Sequence, residues 1–183
     1  MNTYPNETVR SIMERRSIRK FLPQQITDTE RDCIIECGLY APSAMNNQHW
    51  HFTVIQNAGL IGWMNDKIKE KMPPDAAERY KSRQDGREDY SMFYGTPTVI
   101  LISGDGNSAY AVENMCVAAQ SLGVASIIIG MAHLIFETPE ATAYAKEFGI
   151  PDGFEPQYAV CFGYADMKSE PAERAPERVN YIS

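Results

Sequence analysis

One domain of alternating α and β layers is the expectation for this chain, and three features carry it. Two continuous apolar runs, residues 97–103 (PTVILIS) and 124–129, have strand length and no polar face, as strands covered on both sides do. Around them lie segments whose apolar residues recur at helical spacing. The 183 residues, 44% of them hydrophobic, contain no linker, repeat or low-complexity stretch that would divide them.

The elements follow in order. Residues 8 to about 15 predict a helix that runs into a turn and an extended segment. Thr27 followed by Glu30 is a capping box, opening a helix that reaches Ala41 and stops at Pro42. Residues 50–56 predict a strand, and residues 58–72 a helix ended by Pro73-Pro74. Residues 75–94 are polar and aromatic without a clean period, an excursion between elements. After the 97–103 strand, Val112, Met115, Cys116, Ala119 and Leu122 mark one helical face, and Gly123 supplies the stop. Thr138-Pro139 predicts an N-cap with proline at the first helical position, for a helix ending at Phe148-Gly149. Residues 157–164 (QYAVCFGY) predict a fourth core strand, and residues 178–182 an edge strand.

Composition excludes several classes. A net charge of −7 argues against a nucleic-acid partner, which needs a broad basic face. No apolar run approaches the roughly 18 residues of a membrane span. The start, MNTYPNETVR, lacks the apolar core of a signal peptide, so a cytoplasmic protein with reduced cysteines is expected. Cys33 and Cys37, four apart on a predicted helix, are expected as small buried hydrophobes, since CxxxC lacks metal or redox spacing.

Three stretches carry candidate chemistry. ERRSIRKF (14–21) packs Arg15, Arg16, Arg19 and Lys20 around Ser17; arginine forks suit phosphate and carboxylate oxygens. Taken alone, such a run is a solvated basic surface. APSAMNNQHW (41–50) gathers Pro42, Ser43, Asn46, Asn47 and Gln48 after a helix, a set of hydroxyl and amide groups able to read a polar ring edge. SLGVASIIIGM (121–131) turns at Gly123 into a buried strand and ends at Gly130, where a flat ligand can approach the backbone. Two further patterns are discounted. Gly104-Asp105-Gly106 matches neither phosphate-loop spacing and is expected as a turn capped by Asn107 or Ser108. His49 and His51 share a strand face but lack an evident third metal ligand.

The order RRSIR, APSAMNNQHW, NMCVAAQSLGVASIIIG and CFGYAD resembles the FMN-dependent nitroreductase family, over nearly the whole chain. That resemblance implies an α+β three-layer sandwich, a central mixed sheet flanked by helices, in an intertwined homodimer. It implies one domain over 1–183 whose C-terminal tail, from about 166, extends onto the partner subunit. FMN is the implied cofactor: Arg15, Arg16, Ser17 and Arg19 contact it, and Pro42, Ser43, Asn46 and Gln48 form a second cofactor-facing segment reaching the partner's flavin. Ile128, Ile129 and Gly130 line the ring, and Arg174 helps hold the phosphate. The implied activity is ping-pong hydride transfer from NADH or NADPH through flavin N5 to a nitroaromatic, quinone or similar small-molecule acceptor, with no strict catalytic side chain. His49, Ala44 and Ile128 depart from the family's usual proline, second serine and tryptophan. The motifs specify cofactor better than substrate, so enone reduction, reductive dehalogenation, flavin cleavage and a non-enzymatic flavin carrier stay open. So does a nucleotide-binding domain built on the Gly104 turn. Tyr80, Tyr90, Phe93 and Tyr94 are candidate lid residues, with ordinary packing as the alternative.

Overall fold

The computed structural model describes residues 4–182. Its helices are α1 (Glu7–Glu14), α2 (Asp28–Leu39), α3 (Ala58–Lys71), α4 (Pro74–Ser82), α5 (Ser108–Ser121) and α6 (Ala141–Glu147). Its strands are β1 (Trp50–Ile55), β2 (Thr98–Gly104), β3 (Ala125–Ile129) and β4 (Glu155–Gly163), ordered β1-β2-β4-β3. All three pairings are antiparallel. The parallel character expected of a mixed sheet is confined to one bridge, Ser17 with Ser126.

The layers follow from side-chain alternation on the central strands. Every residue of β2 is buried. Val99 and Leu101 point into a core closed by Ile61, Met64 and Ile68 of α3 and by the 3-10 segment Gly130–Phe136. Ile100 and Ile102 point the other way, onto Ile34 of α2 and Val112, Met115, Cys116 and Ala119 of α5. Where β2 meets β4 the register shifts between Ile102 and Ser103, opposite Pro156, which has no N–H for the ladder.

Local chemistry sets the helix limits. Thr27 and Glu30 form the expected capping box: Thr27 Oγ1 accepts Glu30 N–H at 3.2 Å and Glu30 Oε2 accepts Thr27 N–H at 2.8 Å. Tyr164 Oη also donates to Glu30 Oε2, at 2.8 Å, so this cap ties α2 to the end of β4. Asp105, not a helix residue, organises the Gly104–Gly106 turn by accepting Asn107 N–H at 2.8 Å.

Four expectations need correction. Helix α6 begins at Ala141, because the Thr138 carbonyl accepts Ala141 N–H in a turn and its hydroxyl caps nothing. Residues 75–94 are not an irregular excursion throughout. Pro74 opens α4, with Asp75 in its first turn and Arg79 in its last, paired at 2.7 Å. Tyr90, Phe93 and Tyr94 are then packed into the core, where no lid can be made of them. Residues 179–182 form no strand: a 3-10 turn at Pro176–Arg178 leads into a segment lying against nothing, with Tyr181 92% and Ile182 96% exposed. Finally, Cys33 is exposed and Cys37 half-buried, since Ile34 and Gly38 take the inward face of α2.

The cap at Thr27 gives a measurable consequence. Thr27→Ala should cost about 1 kcal/mol in urea denaturation at neutral pH. The Thr27 hydroxyl, followed by its backbone N–H and Tyr164, holds the Glu30 carboxyl below its ordinary pKa, against the opposing push of burial. A carboxylate lowered in the folded state stabilises above the unfolded pKa of about 4.3 and loses that contribution as pH falls through the folded value. The stability gap between wild type and Glu30→Gln should therefore close on acidification below pH 4; a gap constant with pH would refute the assignment.

Candidate functional site

The basic segment is stitched into the sheet as a fifth, irregular strand. Ile18 N–H donates to Ser126 O at 3.0 Å, Leu22 N–H to Tyr164 O at 2.9 Å, and Asp166 N–H to Lys20 O at 2.9 Å. Ile18 and Phe21 turn into the core and anchor it, which holds Arg19 between them, and Arg15 and Arg16 just before, on a fixed backbone.

Their guanidiniums do different things. Arg16 Nη1 donates to Met13 O and Arg15 O, both at 2.8 Å, so it closes the C-terminus of α1 and is already occupied. Arg15 Nε lies 3.5 Å from Glu113 Oε1 of α5, an ion pair too long to be a hydrogen bond, and that N–H is buried without an acceptor. Arg19 Nη1 donates to Ser17 O at 3.2 Å, while its Nε is likewise buried and unpartnered. Unsatisfied buried donors are rare, and charged ones are costly. Two of them, four residues apart, are donors that an anionic group would satisfy. The residues present thus fit an acidic cofactor group.

The second segment carries backbone strain. Met45, Asn46 and Gln48 sit at φ 55°, 54° and 48°, the left-handed region that non-glycine residues rarely occupy. Ser43 Oγ holds the loop by accepting Gln48 N–H at 3.0 Å, and Gln48 Nε2 donates to Asn46 Oδ1 at 3.0 Å. Asn107 Oδ1 accepts Ala44 N–H at 3.3 Å, which fastens the loop to the start of α5. Pro42, Asn46 and Gln48 are exposed, and Met45 is 99% exposed.

On β3, alternation separates the next two candidates. Ile128 is half-exposed beside the basic segment, whereas Ile129 is buried in the core, so only its backbone faces outward. A side chain added at Gly130 would meet nothing within 4 Å, so the space over this backbone is open. Arg174 stands apart: it is exposed, and its Nη1 donates only to Ala172 O at 3.1 Å. The structure therefore brings Arg15, Ser17, Arg19 and the end of β3 together, fastens the Ser43 loop elsewhere along α5, and leaves Arg174 out.

Other candidates resolve into packing. His49 stacks on Phe154 with ring centroids 4.3 Å apart. Among the described residues no three His, Cys, Asp or Glu side chains are placed to hold a metal. Burial pushes the Cys116 thiol, behind Arg15, up to about 11, so it is not a nucleophile at neutral pH. Sequence reasoning missed Glu113. Glu113 meets Arg15 only through the packing of α1 on α5, which no local motif signals.

The Nitroreductase family model matches residues 12–164. A nitroreductase of Desulfitobacterium hafniense, solved with bound FMN, superposes with a TM-score of 0.88 at 27% identity, covering 98% of this chain and all of that one. Its counterpart from Bacteroides fragilis, also with FMN, gives a TM-score of 0.84 at 29% identity, covering 97% and 100%. An NADPH-flavin oxidoreductase of Vibrio harveyi is 23% identical over 189 residues, 95% of this chain and 72% of its own. The family match spans most of the chain, from the basic segment to the end of β4, and the chain belongs to the nitroreductase family.

Proposed function

We propose that this chain is an FMN-dependent NAD(P)H oxidoreductase that passes hydride to electron-poor acceptors such as nitroaromatics and quinones. The observation that carries it is the pair of buried, unpartnered guanidinium N–H groups on Arg15 and Arg19. FMN, when bound, supplies the hydride chemistry at N5; the protein supplies position and charge.

The residues divide the work. Arg15 and Ser17 bind the phosphate, with Arg174 delivered by the tail. Arg19 would sit by the polar N1 and O2 edge of a bound flavin, where its fixed charge would favour an anionic ring. Gly130 and the outward backbone of Ile129 give the ring a flat floor, and Ile128 covers its margin. Arg16 supports this arrangement indirectly, by closing α1 just before the cluster. Pro42, Ser43, Asn46 and Gln48 present strained, pre-formed polar groups to the flavin of a partner subunit.

A homodimer follows from what one subunit leaves uncovered. Ile12, Met13, Leu39, Tyr40 and Met45 are large, apolar and each at least 49% exposed, and the tail ends in Val179, Tyr181 and Ile182. Apolar exposure of this extent, spread over one helical layer and an unsupported tail, marks an interface. The tail from about 166 wraps the partner and carries Arg174 to the site.

Three outcomes test this reading. Purified protein should be yellow, carry FMN rather than FAD, and behave as a dimer in light scattering. Removing residues 174–183 should loosen dimer and flavin together, and a truncated protein that keeps both would disprove the role of the tail. Arg19→Ala should lower the flavin's two-electron potential and slow reduction by NAD(P)H about 100-fold with modest loss of FMN. Arg15→Ala should instead weaken FMN binding about tenfold or more while retained flavin reduces nearly normally. Equal affinity losses with unchanged potentials in both variants would end this division of labour.

A further inference from the structure

The loop between α4 and β2 walls a hollow of about 650 Å³, whose lining includes Arg19, Lys20, Arg83, Asp85, Arg87 and Tyr94. The loop is braced. Gln84 and Ser91 exchange two hydrogen bonds, Ser91 N–H to Oε1 at 2.9 Å and Nε2 to Ser91 O at 3.0 Å. Met92 N–H donates to Asn65 Oδ1 at 2.8 Å, which ties the loop to α3. Tyr94 sits at φ 55°, a strained conformation for an aromatic residue, and its ring stacks on Tyr80 with centroids 6.1 Å apart.

Charge is distributed unevenly around this floor. Arg87 is occupied by Asp89, at 2.8 Å from Nε and 2.5 Å from Nη2, and Lys20 by Asp166 at 2.7 Å. Arg19 and Arg83 have no carboxylate within 4 Å among the described residues, although both guanidiniums act on the phenol of Tyr94. Burial raises the pKa of Tyr94, and the two cations oppose that rise; burial followed by Tyr94 pushes Tyr80 up to about 12. Both phenols are thus neutral donors at physiological pH and offer the arginines no counter-charge. Two like charges share a wall in a protein of net charge −7, and only the exposed Asp85 answers them at the rim. Two free guanidiniums against one carboxylate suit a single anionic group, not a polyanion. Arginine forks and a phenol are also suitable donors for planar or tetrahedral oxyanions.

We propose that this hollow is an anion subsite seating one carboxylate, sulfonate or phosphate group of the reactant that exchanges electrons at the neighbouring flavin. The inference rests on the oxidoreductase reading through Arg19, which would serve both the ring edge and the hollow. Arg83 belongs to the hollow alone. Two sources supply such a group: the 2′-phosphate that distinguishes NADPH from NADH, and an acidic substituent on the acceptor.

The test variant is Arg83→Gln, with Arg83→Lys beside it; Arg83 is exposed, so neither should alter folding or FMN content. In equilibrium titrations of the protein as purified, wild type should bind 2′-AMP or 4-nitrobenzoate about tenfold or more tightly than Arg83→Gln, and the lysine variant should recover part of the difference. Turnover then separates the sources. A rise in KM for NADPH but not NADH assigns the subsite to the donor; a rise for 4-nitrobenzoate but not nitrobenzene assigns it to the acceptor. NADH with nitrobenzene should be unaffected. Identical titrations of wild type and Arg83→Gln with both probes would overturn the subsite. Because the titrations need no turnover, a colourless and inactive protein would end the flavin reading and still decide this one.

Discussion

The hydrogen bond from Ile18 N–H to Ser126 O fixes where everything else in the candidate site can be. It holds a charged segment against β3, which ends just before the exposed Gly130. Without it the four cationic side chains between Glu14 and Phe21 would be an ordinary basic run on a mobile connection. Flanking contacts reinforce it. Phe21 bridges Ala165, and a Cβ at Gly163 would lie 3.0 Å from the Phe21 ring and 3.1 Å from Pro97, a tight fit that favours glycine at this crossing. The geometry of the site therefore depends chiefly on main-chain pairing and two buried apolar anchors, with Arg16 closing the end of α1 beside them.

That arrangement explains how a protein of net charge −7 keeps concentrated positive charge. Several of its cations are neutralised locally: Arg10 by Glu7 and Glu14, Arg31 by Asp28 and Asp32, Arg79 by Asp75. These pairs are exposed and contribute little to stability. Arg19 has no such partner, and Glu113 approaches Arg15 only to 3.5 Å. Incomplete pairing costs the unliganded fold, since a buried charged donor lacks its hydrogen bond. It also preserves the donors for a ligand that completes them. Charge that is pre-positioned and unpaid within the protein is the form in which electrostatic stabilisation reaches a reacting group most effectively.

How much of this was legible in the sequence depended on how local each cause is. The capping box at Thr27, the buried strands at 98–104 and 125–129 and the family motifs are set by neighbouring residues or by covered faces, and they could be read directly. Pro74 with Asp75 and Arg79 was a readable helix signature that the surrounding aromatic residues obscured. Thr138-Pro139 misled because a turn carbonyl competed with the side-chain cap. Among site residues, type and order were legible, but roles were not. Nothing in RRSIR distinguishes Arg16, spent on two carbonyls of α1, from Arg15 and Arg19, which keep free donors; that difference arises from how α1 ends. Likewise Ile128 and Ile129 are adjacent and chemically identical, and only strand alternation sends one outward and one into the core.

Helix α5 is the beam on which these separate causes converge. Its buried face, from Ala111 to Ala119, packs on the sheet, while its remaining sides fasten three segments distant in sequence. Asn107 at its start accepts from Ala44, Glu113 two turns on meets Arg15, and Asn114 donates to Cys37 O at 3.2 Å. At 1.5 Å rise per residue, the six positions between Asn107 and Glu113 span about 9 Å along the axis. The strained amide loop and the arginine segment are therefore set apart along one rigid helix, each tied to a different end of that interval. In the proposed homodimer, each copy would offer its arginine segment to one ligand and its amide loop to the other. There the exposed apolar residues of α1 and α2 are what the two copies would cover.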